Sequence, residues 1–277
     1  MHKSNGGYEF WNSIRDDVIN KYVAECRSSN SIAKDYGCDG TTILSHLKRW
    51  NVPIRKERYN SIYAVNTHFF DAIDTEEKAY ILGLLLSDGH ISKRNVIMLT
   101  LKDKDIIEKY LSALNCNTKI RVDRYGNFAA NITSKKLADR LREIGFHNRK
   151  SYEIDIDRIV GYISQDLEHH FVRGLFDGDG SIKIYQYDYF KNPQLHFGFT
   201  GLQNVVEYVK RYLNINTKTV KESEITYTCV SSCRKTICYI YDTLYKDATI
   251  YMDRKHSTFI KIIDNKEPST TIMGGAS

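Results

Sequence analysis

Two segments of this chain nearly repeat one another: Ile81-Leu-Gly-Leu-Leu-Leu-Ser-Asp-Gly89 and Val172-Arg-Gly-Leu-Phe-Asp-Gly-Asp-Gly180. Gly83 and Gly174 lie 174 − 83 = 91 residues apart, and Asp88 and Asp179 lie 179 − 88 = 91 apart. A period of that length is a duplicated domain rather than a solenoid unit. Each copy is an apolar run with a glycine inside it, closing on an acid and a second glycine. Packing alone does not ask for that combination.

The physical demands of the repeat narrow its geometry. After Tyr80 the first run is apolar on nearly every side, so a helix there must be buried on more than one face. A glycine inside such a helix costs about 1 kcal/mol relative to alanine. The cost is offset if the two helices cross with backbones close, small residue against small residue, as in tightly packed membrane helices. A parallel crossing brings the carboxyl ends together, and Asp88 and Asp179 with them. Helix carboxyl ends carry partial negative charge and favour a bound cation. Two carboxylates, the carbonyls at the helix ends around Ser87 and Gly178, and water offer the hard oxygen donors that Mg²⁺ prefers. That arrangement suits phosphodiester cleavage.

On these residues the chain resembles the LAGLIDADG homing endonucleases, single-chain members carrying two motifs. The likeness extends to Asp74-Thr-Glu-Glu-Lys-Ala-Tyr80 before the first motif, His170-Phe-Val-Arg173 before the second and Ser181-Ile182 after it, and covers about residues 70–263. It implies an α+β fold, a pseudo-twofold duplicated αββαββα unit, here with a small all-α N-terminal helix-turn-helix domain. The sequence accommodates this with strands near 91–92, 95–102, 119–124 and 127–133 and helices at 103–114 and 134–144 in copy one. Copy two offers strands at 181–187, 195–201, 217–221 and 225–230 and helices at 202–213 and 233–245.

The resemblance also implies a site. Asp88 and Asp179 become metal-binding and catalytic acids, with Ser87 and Gly178 as further metal-site residues and Mg²⁺ as the cofactor, for which Mn²⁺ can substitute. Lys150 and Lys255, in the similar phrases Arg149-Lys-Ser151 and Arg254-Lys-His-Ser257 after each third helix, match a lysine that sits in the family's active site. The implied reaction is cleavage of both strands of double-stranded DNA across the minor groove, at a long asymmetric target, by a monomer. Asp177 occupies an earlier acidic position of its motif, but its counterpart is Leu86, so it is a secondary candidate. Many relatives carry a polar residue just before the second helix of each copy; Leu101 and Gly201 stand there, which puts the ordering of water around the metals in doubt. His169 and His170 are adjacent, point to different sides of a helix and are not expected to share a metal. The alternative in the same fold is a catalytically inactive DNA-binding regulator or an intron RNA maturase, although a degenerate module has no need of both acids.

Strand alternation sorts a core face from a nucleic-acid face. Leu195, Phe197 and Phe199 oppose Gln194, His196 and Thr200; Ile120 and Val122 oppose Lys119, Arg121 and Asp123; Ile182 and Ile184 oppose Lys183, Tyr185 and Tyr187. With Lys93, Arg94, Arg124, Asn127, Lys218 and Lys221 these polar residues are expected to meet base edges and phosphates. The alternative is a solvated sheet face. In the amino-terminal region, Ser31 to Gly37 suggests a short helix ending at a glycine suited to positive φ. Asp39 or Thr41 then caps a second helix through Trp50. That pattern resembles the helix-turn-helix units of resolvases and small phage regulators, with Thr41, Thr42, Ser45 and His46 as base readers. Lys48, Arg49, Arg55, Lys56 and Arg58 would meet phosphates. A helical hairpin with a merely solvated charged face is the competing reading.

The expected organisation is a helix-turn-helix domain at 1–54, a linker at 55–74, repeats at 75–160 and 161–265, and a disordered tail at 266–277. Among 277 residues, Lys and Arg outnumber Asp and Glu by 40 to 34, an excess compatible with a polyanionic partner. The 20 tyrosines recur among basic and amide residues, as stacking partners for bases or as ordinary strand tyrosines. Cys26, Cys38, Cys116, Cys229, Cys233 and Cys238 form no Cys-x-x-Cys or paired-histidine pattern, so reduced thiols are expected rather than a zinc site. The polar start lacks a signal core, and no apolar run approaches the roughly 20 residues that span a bilayer. The expectation is a soluble, membrane-free protein of the cytoplasm of a bacterial or phage-infected cell, associated with the nucleoid. With Met1 at the start and no intein-like splicing blocks around the duplication, a free-standing or intron-encoded gene of a phage or bacterium is expected.

Overall fold

The computed structural model describes residues 7–25, 27–54, 63–147, 153–187 and 192–264. At the amino end, α1 (Tyr8–Ser13), α2 (Arg15–Val23), α3 (Ser29–Asp35) and α4 (Gly40–Arg49) enclose a small core of Trp11, Val18, Tyr22, Ile32, Ala33, Ile43 and Leu47. Ser28 caps α3, its hydroxyl accepting from the Ser31 amide at 3.0 Å. Gly37 turns the chain at φ +63°, the left-handed conformation that glycine adopts most easily. α4 then begins behind Asp39, whose backbone is extended as an N-cap requires.

The first copy comprises α5 (Glu76–Asp88), β1 (Gly89–Ile91), β2 (Val96–Leu101), α6 (Lys104–Ala113), β3 (Arg121–Val122), β4 (Phe128–Thr133) and α7 (Lys135–Ile144). A short α8 (Ile156–Val160) leads to the second copy: α9 (Glu168–Asp179), β5 (Gly180–Tyr185), β6 (Gln194–Gly201), α10 (Gln203–Tyr212), β7 (Val220–Lys221), β8 (Tyr227–Ser231) and α11 (Arg234–Leu244). A further helix, α12 (Asp253–Asp264), follows. The sheets are antiparallel, with strand orders β1-β2-β4-β3 and β5-β6-β8-β7. Their registers also repeat: Gly89 pairs Leu99 and Leu99 pairs Ala130, as Gly180 pairs Phe199 and Phe199 pairs Cys229. One continuous core joins both copies, α5 and α9 at its centre.

Two differences from the sequence expectation have simple causes. Residues 66–74 are no linker: Phe69, Phe70 and Ile73 are buried in the main core, and Ile73 bridges Ile163 in parallel. The weak periodicity there reflects irregular chain, not exposure. The Arg254–Ser257 phrase, expected simply to follow the third helix of its copy, opens a further helix, α12, whose buried stripe runs through Lys255, Phe259 and Ile262 just beyond the buried Met252. No helix among the described residues is long and apolar enough to cross a membrane.

Candidate functional site

The two glycine-bearing helices cross through their glycines. A Cβ on Gly83 would overlap the Phe171 carbonyl oxygen and stand 2.9 Å from the Leu175 amide nitrogen; one on Gly174 would overlap the Tyr80 carbonyl and stand 2.8 Å from the Leu84 nitrogen. Backbone meets backbone in a reciprocal contact that any side chain would prise open. The helices end beside each other as a result. A Cβ on Gly178 would overlap the Ser87 hydroxyl and lie 2.5 Å from Asp88 Oδ2, so Asp88 reaches across to the end of α9. Asp179 is exposed and lines a cleft of about 230 Å³ with Ser87, Gly201, Leu202 and Thr226.

Lys255 reaches this end of α9 and is almost fully buried. Its ammonium donates to the carbonyls of Phe176 (2.6 Å), Asp177 (2.7 Å) and Gly180 (2.6 Å), with Gly178 O at 3.5 Å. It thus closes the carboxyl end of α9 from beneath, where orphan carbonyls and the helix dipole favour a cation. Burial lowers its pKa to about 8, against the pull of Asp177. The resemblance implies an active-site lysine here; in the structure its ammonium is engaged by the carbonyls at the end of α9. Gly178 O faces the ammonium, which competes with the expected role of Gly178 at a metal. Lys150 lies outside the described residues.

Asp177, the secondary acid candidate, is fully buried and engaged. Tyr80 and Tyr245 donate their hydroxyls to it at 2.8 and 2.5 Å, and the Met252 amide donates at 2.7 Å, tying α5, α11 and the start of α12 to α9. Burial raises its pKa, opposed by Lys255 and these donors. Arg173 is also fully buried, donating to Glu76 (2.6 Å), Ile250 O (2.9 Å), Leu244 O (2.7 Å) and His170 Nδ1 (2.8 Å). A charge in the middle of the apolar run Phe171-Val-Arg-Gly-Leu-Phe176 is the sequence signal for that network.

The donor set fits a hard divalent cation. Two carboxylates stand at adjoining helix ends, and the one that lines the cleft, Asp179, leaves coordination positions for water and a phosphate, the way Mg²⁺ is usually held. Among the described residues no group of three or more His, Cys, Asp and Glu side chains could hold a metal by itself.

Strand register sorts the sheet faces. On sheet two, Lys183 pairs His196 and Tyr185 pairs Gln194 on the exposed side, with Tyr185 and Tyr187 stacked at 6.0 Å between ring centres. Thr200, Thr228, Val230 and Val220 share that side, and the burial of Leu195, Phe197 and Phe199 marks the other. On sheet one the exposed side carries His90, Met98, Thr100, Asn131 and Arg121; the alternation within β2 and β4 was the signal for Thr100 and Asn131. Lys93, Arg94 and Arg124 are exposed in turns, and Lys119 and Lys218 are exposed ahead of the short edge strands. Three expectations change. Lys221 pairs Tyr227, which puts it on the opposite face from Val220. The Asn127 amide donates to Asp123 at 2.9 Å and braces the β3–β4 hairpin. His46 stacks on Trp11 at 4.0 Å, turned into the small core rather than outward, and burial lowers its pKa. Thr41, Ser45, Lys48 and Arg49 are exposed on α4, and Thr42 is half-buried. Arg55, Lys56 and Arg58 lie outside the described residues.

Comparison with known proteins agrees with this architecture. Residues 75–145 match the model of the LAGLIDADG-like domain. An uncharacterized protein of Methanocaldococcus jannaschii is 31% identical over 144 residues, covering 50% of this chain and 53% of that protein. The glutamine–fructose-6-phosphate aminotransferase of the same organism is 27% identical over 132 residues, covering 44% of this chain and 12% of that protein. The chain thus spans about half of the first relative and a small part of the second. Among solved structures, the LAGLIDADG homing endonuclease I-LtrWI, bound to its target DNA, superposes with a TM-score of 0.50 at 13% identity over 68% of this chain and 90% of that one. The chain carries a LAGLIDADG-like domain at residues 75–145 and, with its second copy, has the LAGLIDADG homing endonuclease fold.

Proposed function

We propose that the protein is a site-specific endonuclease that hydrolyses phosphodiester bonds in both strands of a DNA duplex with a divalent metal, Mg²⁺ or Mn²⁺. The observation that carries this reading is the reciprocal glycine crossing, which sets Asp88 and Asp179 at adjoining helix ends, with Asp179 lining an open cleft. Asp88 and Asp179 would hold the metal. When bound, it would polarise a scissile phosphate and lower the pKa of water. The chain's own part is positional. Lys255 fixes the last turn of α9, and with it the backbone that bears Asp179. The Asp177 cluster holds α5 and α9 in one alignment. The exposed faces of the two sheets would bind the duplex, and Thr41, Ser45, Lys48 and Arg49 on α4 would extend the footprint. Because the two faces carry different residues, the target would be asymmetric, and a single chain would suffice to span it.

The test is cleavage of DNA fragments by the purified chain with Mg²⁺ or Mn²⁺. Defined double-strand breaks are expected, with the rate falling by at least about 100-fold in Asp88→Asn or Asp179→Asn. Specific binding without breaks in either metal would leave the binding-only reading, and an Asp88→Asn chain cutting at the wild-type rate would remove the mechanism.

A further inference from the structure

The duplication lets each exposed residue of one sheet be paired with its counterpart in the other without any outside reference. Gly89 pairs Leu99 where Gly180 pairs Phe199, and from that anchor the registers run in step. Thr100 corresponds to Thr200, and Ala129 to Thr228. Asn131 then corresponds to Val230, and Arg121, opposite Ala129, to Val220, opposite Thr228. All lie on the exposed sides. Val220 and Val230 are 49% and 38% exposed, although both belong to a sheet with a well-filled core face.

A single exposed valine in a strand needs no explanation. These two stand beside a threonine pair whose hydroxyls are engaged with each other at 3.0 Å and, through Thr228, with Phe199 O at 3.1 Å. Val220, Thr228, Thr200 and Val230 together offer a largely apolar surface. Where the two valines stand, sheet one offers an amide and a guanidinium, with Ala129 and Thr100 in place of the threonine pair. In the major groove, Asn pairs bidentately with the adenine edge, Arg with the guanine edge, and an apolar side chain has only the thymine methyl group to contact.

We infer that the two sheets read their half-sites by different chemistry: Asn131 and Arg121 read purine edges, while Val230 and Val220, at the equivalent positions, read thymine methyl groups. The inference rests on the DNA-endonuclease reading and adds the specificity-determining residues. It makes the asymmetry of the target a property of four named side chains.

The experiment is a binding selection of the full chain, without Mg²⁺, from a randomised duplex library, run in parallel for wild type, Val230→Asn, Val220→Arg, Asn131→Val and Arg121→Val. All four positions are outside the core, so melting temperatures close to wild type are expected and verify folding. Wild type is expected to enrich adenine and guanine at two positions of one half-site and thymine at the symmetry-related positions of the other. Val230→Asn should convert one thymine preference to adenine, and Asn131→Val should do the reverse, each with a change in relative affinity of about 10-fold. A wild-type chain that enriches a target while the variants keep the wild-type preference at every position would overturn this assignment alone. A chain that enriches no duplex would overturn both the assignment and the reading beneath it.

Discussion

His170 sits where a proton is unwelcome. Its Nδ1 accepts from Arg173 at 2.8 Å, and its ring lies 3.7 Å from that of His169. Burial first, then Arg173 and His169, bring its pKa down to about 4, with Glu76 and Asp166 pulling weakly the other way. The folded pKa is below the ordinary 6.5, so between those values the unfolded chain binds more protons. The stability this neutral imidazole contributes is present above pH 6.5 and is lost as pH falls towards 4. The melting temperature of wild type should therefore drop more steeply from pH 6.5 to 4 than that of His170→Gln, whose amide oxygen can still accept from Arg173. Equal slopes would show that His170 is not held neutral. At this scale the sequence was only half legible. The acids at 88 and 179 announce themselves by repetition. The burial of Lys255 was written in its i, i+3, i+7, i+10 spacing with Met252, Phe259 and Ile262, but an active-site lysine was the more obvious expectation. Nothing local to Tyr80 or Tyr245 signals that both serve Asp177, because that cluster joins residues 97 and 68 positions away.

Between elements, the decisive contact is that of α5 and α9. Gly83→Ala or Gly174→Ala would gain about 1 kcal/mol of helix propensity but drive a methyl group into the opposing backbone, which has no rotamer with which to yield. A net loss of about 1–3 kcal/mol for either variant is expected in urea unfolding, together with weaker cleavage, because the separation of the two acids changes with the crossing. A neutral result would mean that the helices can slide. The helices and longer strands were legible because their periodicity is strong: β2, β4, β6 and α10 fall within a few residues of expectation. The face of the short edge strand β7 was not. β3 and β7 have two paired residues each, too few for alternation to fix a face, which is why Lys221 was expected on the wrong side.

Over the whole molecule, the amino-terminal helices and the duplicated unit have separate hydrophobic cores with no residue in common. A chain lacking residues 1–54 should keep the melting midpoint of the duplicated unit while binding its target less tightly. If Lys48 and Arg49 both meet phosphates, the slope of log affinity against log salt should fall by about 2. An unchanged slope would take α4 off the DNA. The glycine crossing also governs how the chain comes into being. The partner of Gly83 is made 174 − 83 = 91 residues later, which at about 5–20 residues per second is roughly 5–20 s of synthesis. For that interval α5, buried on every side in the finished protein from Ala79 to Leu86, has no second helix to cover it. The face of α5 that α9 covers in the finished protein therefore stays without its partner helix until the second half has been made.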